Sequence, residues 1–132
     1  MTGDARLGIV ILAVADLARA RAFYGSAFGW SADVDTAVYV ELRLPAGMRL
    51  GIYERRAFGR NVGEAPVEVA AGSLSPIELY LFPDDLDVAI ARLLAAGGRE
   101  LSPLAHRDWG DDVAYFADPD GNIIALARSP DA

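Results

Sequence analysis

The sequence feature that most constrains the fold is an internal repeat. Residues 14–17 (Val-Ala-Asp-Leu) align with residues 83–86 (Pro-Asp-Asp-Leu), 69 positions later, and a helical pattern that ends at glycine follows in both places. Residues 44–53 align with residues 118–127, 74 positions later, around a Pro-x-Gly turn in each copy. Because neither copy is expected to bury its own sheet, the repeat predicts two small modules that join into one fold.

The first copy predicts a strand, a helix and then further strands. Residues 8–15 form a short apolar run rich in branched side chains, which is typical of a buried strand. Apolar residues at helical spacing follow over residues 17–28, with Asp16 as the N-cap and Gly29 as the stop. The alternating strands predicted next cover residues 37–44 and 48–54.

The second copy repeats this order. Residues 76–82 predict a strand, Asp84-Asp85 caps a helix over residues 86–96, and Gly97-Gly98 ends it. The remaining strands are predicted at residues 99–104, 113–117 and 123–127, the last two as a hairpin around the Asp-Pro-Asp-Gly-Asn turn of residues 118–122. Residues 55–75 have little periodicity and several glycines, and predict a linker or long loop.

These elements predict one α+β domain over residues 1–132. It contains module 1 (about 6–55), a linker (about 56–75) and module 2 (about 76–129), each module a βαβββ unit. Joined edge to edge, the two modules are expected to form one strongly curved, mixed sheet with helices outside and a cleft inside.

Composition narrows the range of partners. The formal net charge is −7, and every basic residue apart from one histidine is arginine. Binding to nucleic acid or to an anionic membrane needs clustered positive charge, so neither is expected, and a cationic or neutral ligand fits better. Cysteine is absent, which excludes disulfides and thiolate chemistry. With no secretory signal pattern and no apolar run near the roughly 20 residues of a membrane span, we expect a cytoplasmic protein.

Two motifs resemble a known family. Residues 14–24 (Val-Ala-Asp-Leu-Ala-Arg-Ala-Arg-Ala-Phe-Tyr), with Phe-Gly-Trp at residues 28–30, are similar to the opening of vicinal oxygen chelate proteins. Trp109-Gly110, Tyr115-Phe116 and the turn at residues 118–122 are similar to their closing hairpin. The resemblance implies the fold of the glyoxalase, bleomycin-resistance and extradiol dioxygenase superfamily. It leaves the activity open, because these relatives include isomerases, dioxygenases, epimerases, thiol transferases and drug-binding proteins.

The resemblance also implies four positions for the ligands of a divalent metal. Carried over by spacing from the Asp residues and turn glycines, they are Ile9, Gly51, Glu78 and Ala125. Only Glu78 carries a donor atom, whereas catalytic metal sites usually use about three protein ligands. The single histidine, His106, lies outside the pattern. We therefore expect no metal, although a register shift of two could bring Glu41 or Glu54 towards the cleft.

Strand alternation predicts which residues line that cleft. Val40, Leu42, Leu50 and Ile52 are expected under a helix, together with Leu79 and Leu81. The opposite faces then carry Tyr39, Glu41, Arg43, Arg49, Gly51 and Tyr53 in module 1, and Glu78, Tyr80, Phe82, Val113, Tyr115, Ile123 and Ala125 in module 2. The predicted ligand-binding residues are Tyr39, Glu41, Arg49, Tyr53, Glu78, Tyr80, Trp109 and Tyr115.

Three functions remain open. The first is metal-free binding of a small aromatic or cationic molecule, in the manner of the bleomycin-resistance relatives, without catalysis. The second is a metal-dependent lyase, isomerase or dioxygenase. The third is a metal-free enzyme in which a buried Glu78 with a raised pKa acts as general base. Glu78 has two further interpretations, as a binder of a cationic group or as an ion-pair partner of Arg43 or Arg49. The resemblance also implies a homodimer, because relatives of this size commonly pair. The sequence itself suggests one only through exposed sheet edges, which need cover.

Overall fold

The computed structural model describes residues 3–130 of the chain. These residues form two compact units. The first unit contains the chain up to Arg21 together with Trp30–Val67, and the second contains Ala22–Gly29 together with the chain from Glu68 onward. Each unit holds one four-stranded mixed sheet, and the predicted α+β class is confirmed.

The sheet of the first unit is built from strands β1 (Val10–Val14), β2 (Ser31–Asp35), β3 (Tyr39–Arg43) and β4 (Arg49–Glu54). Their spatial order is β1-β4-β3-β2, with β1 and β4 parallel and the other pairs antiparallel. Helix α1 (Leu17–Phe28) follows β1, and helix α2 (Arg55–Val62) follows β4. The last strand of the module, β4, therefore pairs with its first strand, β1.

The second unit repeats this arrangement with strands β5 (Glu78–Leu81), β6 (Arg99–His106), β7 (Asp112–Ala117) and β8 (Ile123–Arg128) and helix α3 (Leu86–Ala95). Their order is β5-β8-β7-β6, and β5 and β8 are parallel. The predicted pair of βαβββ modules is confirmed. The single continuous sheet is not, because each module completes a separate hydrogen-bonded sheet.

The strand register reproduces the two offsets of the repeat. Ile11 pairs with Gly51 between β1 and β4, and Tyr80 pairs with Ala125 between β5 and β8. Ile11 and Tyr80 are 69 positions apart, and Gly51 and Ala125 are 74 positions apart, so equivalent residues occupy equivalent places in the two sheets. The repeat seen in the sequence is thus a repeat of hydrogen-bond register.

The helix ends follow the predicted caps. The Asp16 carboxylate accepts from the backbone N–H of Arg19 at 3.0 Å at the start of α1, and the Asp85 carboxylate accepts from that of Val88 at 3.1 Å at the start of α3. These bonds satisfy N–H groups that the first helical turn leaves unpaired. No helix within residues 3–130 is long and apolar enough to cross a membrane.

Helix α2 corrects the prediction of a loop throughout residues 55–75. The Glu54 carboxylate caps it by accepting from the N–H groups of Arg56 and Ala57, and Gly63, at a φ of 104°, ends it. These bonds hold the pKa of Glu54 below its usual value. The helix was not predicted from the sequence because its only buried residues are Ala57 and Gly59, which form no apolar stripe. Glu54 is therefore a helix cap.

Two edge strands also differ from the prediction. Strand β2 was not predicted, because its sequence Ser-Ala-Asp-Val-Asp is polar and four of its five residues are exposed. Strand β6 runs on to His106, past the predicted end at residue 104, and has two register irregularities against β7. It contains Pro103, which an edge strand tolerates because one side of its backbone needs no partner.

A buried polar network fixes the turn between β7 and β8. The Tyr24 hydroxyl of α1 donates to Asp118 Oδ2 at 2.5 Å, and Asp118 Oδ1 accepts from the backbone N–H groups of Asp120 and Asn122. Burial, then the nearby Asp118, raise the pKa of Tyr24 well above its ordinary value. Asp118 is thus the turn residue predicted, and it also ties the closing hairpin to α1.

We expect Tyr24→Phe to lower the free energy of unfolding by about 1.5–3 kcal/mol, the range for a hydrogen bond to a charged group. Urea denaturation followed by circular dichroism measures the change. Tyr53→Phe is the matched control, because it also removes a phenol hydroxyl from a tyrosine packed among rings. Equal losses in the two variants would contradict a specific contribution of the bond to Asp118.

Candidate functional site

The first unit divides its sheet residues between two faces as alternation predicts. Val40, Leu42, Leu50 and Ile52 are all buried. On the opposite face lie four of the predicted ligand-binding residues, Tyr39, Glu41, Arg49 and Tyr53. The structure therefore groups these four residues on one surface of β3 and β4.

Tyr39 fills the space above Gly51 on this face. A methyl group added at Gly51 would lie 2.7 Å from the Tyr39 hydroxyl oxygen, 2.9 Å from Tyr39 Cε1 and 2.9 Å from Ile11 Cγ1. The Tyr39 ring also packs 5.2 Å from the Tyr53 ring, and its hydroxyl donates to Glu41 Oε1 at 2.9 Å. Burial, then the bond to Glu41, raise the pKa of Tyr39 to about 12. The Tyr39 side chain therefore covers this face at Gly51.

The charges of this face pair with one another. Asp33 on β2 binds Arg43 at 2.6 Å and Arg49 at 2.5 Å, and Arg49 also binds Glu41 at 3.0 Å. The hydrogen bonds from the arginines lower the pKa of Asp33. Both arginines proposed as partners of Glu78 thus bind carboxylates of their own unit.

The equivalent face of the second unit has a floor of small residues. Val113, Ala125 and Ala127 form a buried cluster, and Tyr80 and Tyr115 pack against it. Ala125 occupies the position equivalent to Gly51 and has no exposed surface. No side chain comparable to Tyr39 arises from β7 here, because Val113 stands in its place.

A chain of hydrogen bonds holds the aromatic groups above this floor. Trp109 Nε1 donates to the Tyr80 hydroxyl at 2.9 Å, and that hydroxyl donates to Asp111 Oδ2 at 2.5 Å. The Phe82 ring packs 5.4 Å from the Tyr80 ring. Burial and the bond to Asp111 raise the pKa of Tyr80. We call Tyr80, Phe82, Trp109 and Asp111 the aromatic face.

Two rings of the aromatic face stand in solvent. Trp109 is 59% exposed and Phe82 is 62% exposed. Large apolar groups that share one surface and remain exposed mark places where a ligand or a partner binds. The first unit shows a weaker signal on its equivalent face, where Tyr39 and Tyr53 are both partly buried.

A tight turn between β6 and β7 places Trp109 and Asp111. The N–H of Arg107 donates to the carbonyl of Asp111 at 2.8 Å, and Gly110 has a φ of 104°, which favours glycine. The Arg107 guanidinium donates to the carbonyls of Pro103 and Val113 and lies 5.1 Å from the centre of the Tyr115 ring. The Arg107 guanidinium therefore covers one face of the Tyr115 ring, and a ligand has less of this ring to contact than the sequence predicts.

Sequence reasoning missed Asp111 and Arg107. The sequence predicts no contact for the Asp111-Asp112 pair, yet Asp111 binds Tyr80, and Asp112 pairs with His106 and Arg128 at 3.0 Å each. Their contacts arise only when the turn closes, and no spacing in the sequence signals them. Glu78, at the start of β5, is exposed, so it is not the buried carboxylate that the metal-free enzyme requires.

The positions expected for metal ligands offer a poor donor set. Gly51 and Ala125 are buried within β4 and β8 and carry no donor, and Ile9 is apolar. Among residues 3–130, no group of three or more His, Cys, Asp or Glu side chains is arranged to hold a metal ion. These residues do not fit a divalent metal bound by several imidazole and carboxylate ligands.

Comparison with known proteins defines the class. The model of the glyoxalase-like domain family matches residues 9–127. The chain therefore belongs to the glyoxalase-like family, within the vicinal oxygen chelate superfamily. No curated protein matches it.

Solved structures agree with this assignment. A glyoxalase-related enzyme from Fulvimarina pelagi is 26% identical with a TM-score of 0.81, and the match covers 92% of this chain and 86% of that one. A glyoxalase/bleomycin resistance protein from Albidiferax ferrireducens is 25% identical with a TM-score of 0.68, covering 94% and 98%. A glyoxalase/bleomycin resistance protein/dioxygenase from Nocardioides is 20% identical with a TM-score of 0.79, covering 96% and 85%, and shows the fold alone.

We expect Gly51→Ala to lower the free energy of unfolding by about 1–3 kcal/mol, because the methyl group displaces Tyr39 and breaks its bond to Glu41. In a Tyr39→Ala background the same change should cost less, since one of the two obstructing side chains is gone. Urea denaturation of the four proteins measures this coupling.

Gly25→Ala is the control for the glycine substitution. It lies within α1 with nothing inside 4 Å of the added methyl group, so its expected effect is neutral or slightly stabilising. Additive costs of Gly51→Ala and Tyr39→Ala would show that Tyr39 does not occupy the space above Gly51.

Proposed function

We propose that this protein binds a small planar cation on the aromatic face of its second unit, without a metal ion. The observation that carries the proposal is the hydrogen-bond chain from Trp109 through Tyr80 to Asp111. This proposal corresponds to the first of the three functions left open by the sequence, the binding of a small molecule without catalysis. Glu78 is not assigned a catalytic role, because it is exposed.

The direction of these hydrogen bonds selects the ligand. Trp109 donates its only side-chain N–H to the Tyr80 hydroxyl, and that hydroxyl donates its proton to Asp111. What the face offers is therefore the second carboxylate oxygen of Asp111 and the π-faces of the rings. A carboxylate and π-faces both favour a positively charged hydrogen-bond donor.

Magnitudes agree with a weak but specific site for a single-ring ligand. A cation over an aromatic face contributes about 0.5–2 kcal/mol. The binding free energy has three sources: the two exposed rings, the carboxylate, and the apolar contact of the ligand's ring. Together they suggest about 4–6 kcal/mol, which corresponds to a Kd between about 1 mM and 40 µM. The net charge of −7 favours the approach of cations further.

Benzamidine, a planar cation, and benzamide, its neutral analogue of the same shape, provide the test. We expect benzamidine to bind in the range given above and benzamide to bind at least tenfold more weakly, by titration calorimetry. The chain has two tryptophans, Trp30 and Trp109, so two indole N–H signals are expected in an NMR spectrum. The Trp109 signal should shift with benzamidine.

Charge variants of one turn supply the controls. Asp111→Asn should weaken benzamidine binding about tenfold, whereas Asp108→Asn, which removes an exposed carboxylate from the same turn, should change it less than twofold. Equal effects of the two variants, equal binding of benzamide, or no binding of benzamidine at 10 mM would contradict the proposal.

The metal-dependent alternative has a separate test. We expect protein purified without chelators to hold far less than one Mn, Fe, Co, Ni or Zn ion per chain, by mass spectrometry, because Ile9, Gly51 and Ala125 lack donors. Benzamidine binding should be unchanged by EDTA. One equivalent of metal per chain would favour a metal-dependent lyase, isomerase or dioxygenase instead. A homodimer and a cytoplasmic location stay predictions of the sequence.

A further inference from the structure

A recess adjoins the aromatic face in the second unit. Its volume is about 880 Å³. Phe82, Pro83 and Asp84, which lie between β5 and α3, line it together with Leu86 at the start of α3 and residues 127–130. Cavities that hold small molecules span roughly 300–1,000 Å³, so the recess exceeds what a single ring needs.

The recess continues the aromatic face along the strands. Tyr80 pairs with Ala125 between the parallel strands β5 and β8. Ala127 lies two residues further along β8, and Phe82 comes two residues after Tyr80, directly after the end of β5. Two residues of a strand span about 6.6 Å and return to the same face. Phe82 contacts the Tyr80 ring and also lines the recess, so the two surfaces meet at Phe82.

The charged groups of the recess favour a cation. The Arg128 guanidinium binds Asp112 at 3.0 Å, so a carboxylate already partners it. Asp84 is exposed, and among residues 3–130 its carboxylate has no ion pair or hydrogen bond. The carboxylate of Asp84 is therefore the charge that the recess presents to a ligand, beside the apolar walls of Phe82, Pro83 and Leu86.

We infer that the ligand is an elongated dication: a planar cationic group on the aromatic face, an apolar segment passing Phe82, and a second cationic group at Asp84. This inference rests on the proposed function and adds the length and the second charge of the ligand. A ligand with only one cationic group would contact only one of the two carboxylates, Asp111 on the aromatic face or Asp84 in the recess.

Pentamidine tests the inference, because it is two benzamidine groups joined through ether oxygens by a five-carbon linker. We expect pentamidine to bind at least 30-fold more tightly than benzamidine in titration calorimetry. A compound with one amidine and an uncharged tail, 4-pentyloxybenzamidine, should have an intermediate affinity, because it reaches past Phe82 without meeting Asp84.

The variant Asp84→Asn separates the second charge from the rest. It should weaken pentamidine at least fivefold and leave benzamidine and 4-pentyloxybenzamidine unchanged. Asp87→Asn, an exposed carboxylate of α3 outside the recess, is the matched control and should have less than a twofold effect. Both variants change exposed residues, so both should fold, and circular dichroism checks this.

Each result has one meaning. If benzamidine binds but pentamidine gains less than fivefold, the elongated dication is wrong and the proposed function stands. Equal effects of Asp84→Asn and Asp87→Asn would also overturn the inference, since general charge would then explain the second contact. If neither compound binds, the proposed function and the inference fail together.

Discussion

The parallel pairing of the first and last strands within each module is the constraint on which the rest of the structure depends. A parallel pair cannot be closed by a hairpin, so a longer connection must lie between its members. In both modules this connection contains a helix and two further strands. The pairing also fixes the register, which sets Ile11 beside Gly51 and Tyr80 beside Ala125. Because side chains alternate between faces, that register decides which strand residues lie on the two candidate faces.

The same backbone plan yields two different surfaces. In the first unit, Tyr39 lies over Gly51, and Asp33 and Glu41 hold the nearby arginines. In the second unit, small residues form the floor, and hydrogen bonds fix Tyr80 and Trp109 while leaving much of Trp109 in solvent. Groups held in place before a ligand arrives lose less entropy on binding, which favours the second surface as the site.

Much of the fold could be predicted from the sequence, because the repeat carries register and the caps of α1 and α3 are local. The elements that escaped prediction lack a periodic signal: α2 buries only Ala57 and Gly59, and β2 is a polar edge strand. The candidate site was predictable in part. Alternation placed Tyr80 and Tyr115 on one face, but the bond of Asp111 to Tyr80 joins residues 31 positions apart through a turn whose closure no spacing reveals.

The position of Tyr39 has a consequence for how this family can diversify. In the first module the Tyr39 side chain lies over Gly51, and in the second module Val113 occupies the equivalent position. Replacing Tyr39 with a small residue would open space beside Glu41 and Tyr53, with Ile11 as the remaining side chain over Gly51. A single substitution in the first module could therefore create a second exposed face without altering the aromatic face of the second module.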